Sequence, residues 1–186
     1  MQETINADMS AGASITSNKG VTSTVSLENH YHVECLDSEG NVKWSDEFDN
    51  LVVDQGLNDA LDKYLKGSAY TAGFFVGLTD GTPTVAAGDT MASHAGWVEV
   101  VAYSEATRQA LTLGAVSNKS VDNSASKASF SINSAATVGG AFVSVSNAKG
   151  GATGVLYGAG AFAGGDKVVG NGDTLNVTIT CTAAAV

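Results

Sequence analysis

Alternation of apolar and polar residues is the dominant pattern of the chain. In its clearest run Leu175, Val177, Ile179 and Cys181 alternate with Thr174, Asn176, Thr178 and Thr180. A period of two puts one set on a core face and the other outside, as in a half-buried strand. Ala128, Phe130 and Ile132 alternate in the same way, and so do Ala141, Val143 and Val145 against Phe142, Ser144 and Ser146. Near the start, Tyr31 to Leu36 alternates, Asp37 to Asn41 supplies a turn, and Val42, Trp44 and Phe48 follow on one face. Two alternating runs around a Gly-Asn turn predict a β-hairpin over residues 30–48.

One stretch changes period. Leu57, Leu61, Tyr64 and Leu65 recur at helical spacing, and Gly67 stands where a helix C-terminus favours a left-handed residue. This predicts a single amphipathic helix over residues 52–66. Gly139-Gly140, Gly150-Gly151 and Asn171-Gly172-Asp173 read as turns or bulges between strands. The expected fold is mainly β: a β-sandwich or jelly-roll-like domain with one amphipathic helix and an extended N-terminal arm. The arm is placed at residues 1–28, which are Ser-, Thr- and Asn-rich with scattered Ile5, Ile15, Val21 and Val25, and the single domain at residues 29–186. The alternation Val21, Ser23, Val25, Leu27 also permits a strand at the end of the arm.

Composition fits this picture. The chain has 186 residues, enough for one domain with a real core. Hydrophobic residues make up 44% and charged residues 15%, with 22 Gly against one Pro, which suits strands joined by tight turns. The net charge of −10 repels phosphate backbones and anionic lipid, so neither nucleic acid nor membrane is expected as a partner, whereas a basic protein surface is compatible. Two cysteines, Cys35 and Cys181, both at apolar strand positions, make no disulfide framework and are expected as buried thiols. Met1 to Asn6 lacks a basic start and an apolar run, so synthesis in a cytoplasm without a signal peptide is expected.

Candidate chemistry is sparse. His30, His32 and Glu34 share one face of a predicted strand and could ligate a metal, but the bland alternative is the wet face of a hairpin. His94, Ser93 and Asp89 invite a hydrolase reading, yet a triad is defined by geometry and no G-x-S-x-G elbow is present. The stretch Gly150 to Gly154 lacks a P-loop lysine. No enzyme activity, cofactor or metal is expected. Phe142, an apolar ring on an otherwise polar strand face, marks either a contact surface or a position covered by the helix or the arm. Trp44 and Trp97 are expected as core anchors.

Several segments together resemble a family of virion proteins of tailed bacteriophages. They are the hairpin with Trp44 in its second strand, Asn50 to Asn58, the strand Phe74-Phe75-Val76-Gly77-Leu78, and Ala87 to Glu99. Tyr103 and Ala106-Thr107-Arg108 follow, then Ala136 to Phe142, Gly150 to Tyr157 and Gly172 to Leu175. The resemblance runs from Tyr31 to the end and leaves the arm outside. It implies a structural virion protein, made in the host cytoplasm. The leading expectation is a head decoration (cement) protein, a homo-oligomer, favoured as a trimer, that binds the major capsid protein or another virion protein and stabilises the shell. A tail, collar or fibre component is the alternative, and a carbohydrate-binding tail-tip domain a weaker one. No catalytic residue comes with the resemblance. The partner-contacting residues are expected among Ile5, Ile15, Val21, Val25 and Phe142.

Overall fold

The run that alternates most clearly in the sequence is the longest strand and the axis of the fold. The computed structural model describes residues 25–69 and 73–185. Strand accounts for 45% and helix for 10%, so the chain is mainly β and sandwich-like. One sheet carries β1 (Val25–Leu36), β2 (Val42–Asp49), β7 (Ser120–Asp122), β8 (Ala128–Ser131) and β13 (Thr174–Ala185). Its order is β2-β1-β13-β7, with β8 beside the other half of β13. The second sheet carries β3 (Leu51–Val52), β4 (Phe75–Thr79), β5 (Glu99–Val100), β6 (Gln109–Ala110), β10 (Gly140–Ser144) and β11 (Leu156–Ala161). Its order is β3-β11-β10-β4-β5, with β6 also on β4. A two-stranded ribbon pairs β9 (Ala136–Val138) with β12 (Lys167–Val169). All these pairings are antiparallel.

The core lies between the sheets. Tyr31, Val33, Cys35, Leu175, Val177, Ile179 and Phe130 from the first meet Val76, Leu78, Ala141 and Val143 from the second. β1 and β13 pair along their whole lengths, from Val25 opposite Ala185 to Leu36 opposite Thr174. The hairpin forms as its sequence predicts. Asp37 Oδ1 accepts from the backbone N–H groups of Glu39 and Asn41, both at 2.9 Å, while Gly40 supplies a φ of 85°. Those bonds hold Asp37 below the usual carboxylate range, Asn41 contributing first.

Three expectations shift. Residues 25–28 belong to β1 and not to an arm, because their backbone pairs with β13. Residues 52–53 are not helical, since Leu51–Val52 adds a short strand to the edge of β11. The helix itself is α1 (Asp54–Ala60), continued by a wider π turn over Leu61–Leu65. Gly67 has the left-handed conformation, φ 79°, anticipated at its end. Gly139 is a close-approach glycine: a Cβ there would overlap the Gly81 carbonyl. It marks the point where the chain leaves the β9–β12 ribbon and enters the second sheet.

Candidate interaction surface

The segment between β4 and β5 folds back over the outer face of the second sheet. Val53, Met91, Trp97, Phe142, Leu156 and Ala159 form a second apolar cluster there, with Val85 against it. β10 is therefore buried on both faces. Phe142 is fully buried, which corrects its expectation as an exposed contact ring; Met91 and Trp97 of this loop pack in the same cluster. Gly77, its cross-strand neighbour on β4, makes room for it, since a Cβ at that position would overlap the ring. Trp97 packs on Phe142 with centroids 5.1 Å apart, and His94 stacks on Trp97 at 3.6 Å.

Arg108 also lies over this ring. Its guanidinium carbon lies 5.0 Å from the Phe142 centroid, within cation–π range. It is buried, and it makes a two-pronged bond to Glu99, Nε to Oε1 at 2.9 Å and a terminal nitrogen to Oε2 at 2.7 Å. It also donates to the carbonyls of Ser146 and Gly151. Glu99 Oε2 accepts in turn from Gly150 N–H. This cage pins the 146–151 loop to β5.

The other chemical candidates are taken up by structure. Asp89 accepts from Ala86 N–H at 2.9 Å, and Ser93 bonds to Thr90. Among the described residues no hydrogen bond joins Asp89, Ser93 and His94. The nitrogens His94 Nδ1 and Trp97 Nε1 are buried without a hydrogen-bond partner, beside a hollow that Met91, Val98 and Gly150 also line. His30 Nδ1 lies 2.9 Å from Asp49, and Glu34 bonds Lys127 at 2.7 Å. That contact pulls the Glu34 carboxyl below its ordinary value. Among the described residues no group of three or more His, Cys, Asp or Glu could hold a metal ion. Cys35 is buried and Cys181 half-buried, both as free thiols. Burial pushes each up to about 11, which leaves them poor nucleophiles at neutral pH. Among the described residues no helix is long and apolar enough to cross a membrane.

The surface itself is more informative. The helix rests on the domain through small residues. Gly56 is buried against the Tyr157 backbone, where a Cβ would overlap the carbonyl, and Ala60 is half-buried one turn on. Its apolar stripe therefore points outward: Leu57 is 41% exposed, Leu61 56%, Tyr64 87% and Leu65 72%. Leu51 on β3 is exposed as well. Beside the helix an apolar cleft of about 180 Å³ opens between the sheets, lined by Asn29, Phe74, Leu111, Leu113, Tyr157 and Cys181. The stripe is legible as an amphipathic pattern; its direction is signalled by the Gly56–Ala60 pair, about 100° round the helix from it. Of the expected contact residues, Val25 is 70% exposed at the start of β1. Ile5, Ile15 and Val21 lie outside the described residues.

The pair of exposed Lys43 with buried Asp173 gives the domain a pH signature. Asp173 lies in the turn before β13 and accepts from Lys43 Nζ at 2.6 Å and Gly170 N–H at 2.7 Å. Burial pushes its carboxyl up, but those two donors outweigh burial and hold it below the ordinary value. Lys43 is raised, first by the same bond. A depressed Asp stabilises the fold above its unfolded pKa of about 3.9, and that contribution is lost as pH falls through the folded value. A raised Lys contributes below its unfolded pKa of about 10.4 and loses its contribution as pH rises through the folded value. Thermal melts should therefore show a plateau between about pH 4 and pH 10 from this pair. Asp173→Asn should lower the plateau and flatten the acid limb; an unchanged acid limb would remove Asp173 as its source.

Comparison with protein-family models, with characterised proteins and with solved structures finds no match to this chain.

Proposed function

We propose that this protein is a structural component of a tailed-bacteriophage particle, with capsid decoration as its leading role. The observation that carries the reading is the apolar helix stripe held outward on a rigid sandwich, a surface of the kind that protein partners cover. The resemblance of residues 31–186 to virion proteins supplies the setting. A net charge of −10 suits docking to basic regions of a shell protein and disfavours contact with the packaged nucleic acid. In this role the sandwich acts as a spacer that presents its helix, its cleft and the start of β1 to neighbouring subunits of the major capsid protein or another virion protein.

Quantitative mass spectrometry of purified particles tests this directly. A copy number near that of the major capsid protein is expected for a shell-wide decoration protein. A few to a few dozen copies would reassign it to the tail, collar or fibre, and absence from the particle would end the virion reading.

A further inference from the structure

The stripe Leu57–Leu61–Tyr64–Leu65 needs an occupant, and its geometry suits a second helix of the same kind. We propose that it packs antiparallel against the same stripe of a second copy of this chain, about a two-fold axis passing beside Leu61. The wider turn at the end of the helix, closed by the Lys66 N–H to Leu61 carbonyl bond, helps keep Leu57, Leu61 and Leu65 close to one line. A two-fold axis at Leu61 sets Leu57 opposite the partner's Leu65 and Leu61 opposite its own copy.

Charge selects the antiparallel sense. Asp54 and Asp59 lie toward the N-terminal end of the helix, and Lys63 and Lys66 at the other. Lys63 is tied to Asp62 and to the Ala69 carbonyl, with a side chain only 17% exposed. Lys66 is 76% exposed and also reaches Asp62, so it is the outer cation of the stripe. Asp62 is held down to about 2 by Lys66 and Ser68, so it stays ionised and keeps Lys66 in place through the neutral range. Antiparallel pairing brings Asp54 to the partner's Lys66 at both ends of the contact, and the helix dipoles also oppose favourably. Parallel pairing would set acid against acid and base against base.

The same surface patch on both subunits is the mark of an isologous contact. Such a contact builds a dimer or a dimer-based assembly and departs from the three-fold oligomer expected from the resemblance. With one short helix per copy it belongs to the small class of interfaces, so weak, concentration-dependent dimerisation is expected. The pairing competes with a capsid subunit for the same stripe, so a chain that dimerises there would meet a particle partner through its cleft and the start of β1, and the copy number per particle tests that role separately.

Sedimentation equilibrium of the full chain from micromolar to millimolar concentration tests it. The wild-type chain should dimerise. Leu61→Glu should weaken dimerisation by about 100-fold, because it buries two facing carboxylates, with the far-ultraviolet circular dichroism unchanged. Asp54→Lys should weaken it more mildly, and adding Lys66→Asp should restore it. Leu61→Cys in a Cys181→Ser background should give a disulfide-linked dimer with oxidised glutathione, since each Leu61 faces its own copy. A wild-type chain that stays monomeric, or a trimer indifferent to Leu61→Glu, would overturn the proposal. So would a chain that dimerises only after deletion of residues 1–24, because that segment would then be the occupant of the stripe.

Discussion

Replacing Arg108 with Ala should destabilise the domain by about 3–5 kcal/mol, the cost of removing one member of a buried pair. The loss has three parts. The Glu99 carboxylate, whose side chain is 7% exposed, is left with the Gly150 N–H as its remaining donor. The carbonyls of Ser146 and Gly151 lose the guanidinium that satisfied them. Phe142 loses the cation over its face. For a domain of this size the melting temperature should fall by on the order of 10 °C. Arg108→Lys should recover only part of the loss, because an ammonium cannot make the two-pronged bond. The double variant Arg108→Met/Glu99→Leu should lie closer to wild type than Arg108→Ala, since neither charge is then left buried alone. Urea denaturation of the set gives the answer. A single Arg108→Ala variant within about 0.5 kcal/mol of wild type would place the pair among surface ion pairs of little consequence.

Phe142→Ala should cost a similar amount, about 3–5 kcal/mol, by emptying the centre of the second apolar cluster. The ring also seats Trp97, so the variant should redden tryptophan emission as the 81–98 loop loosens in the native state. Gly77→Ala should destabilise by about 1–3 kcal/mol from the opposite cause, overlap with the same ring. Combining the two should cost less than their sum, because removing the ring removes the overlap. Strict additivity would mean that the two positions do not meet in solution as they do across β4 and β10.

These two positions also show where sequence and structure part. Over Asn29–Leu36 of β1, Thr174–Thr180 of β13 and all of β8, buried positions alternate with less buried ones, because each stretch has one face on the core and the other toward solvent. β10 has the same alternation and a different fate. Ser144 looks like a solvent position, yet it is buried, its hydroxyl accepting from the Ser146 N–H at 3.2 Å. A serine that satisfies itself locally is invisible to polarity patterns. Arg108 reads as a loop cation, and its burial depends on Glu99, nine positions away on another strand, which no spacing rule connects. The helix was found from its period but not its orientation. That depends on Gly56 meeting the backbone of Tyr157, a residue far along the chain. The two-residue strands β5 and β6 exist only because β4 offers them an edge.

The pairing of β1 with β13 has a consequence for how the molecule is made. The first described strand to leave the ribosome is zipped along its whole length to the last. Until β13 emerges, β1 keeps the whole length of one edge unpaired. Long-range closure of this kind is slow and leaves the nascent chain prone to aggregate. The sandwich can therefore close only once β13 has left the ribosome, and a chain truncated before Thr174 should stay open and prone to aggregate.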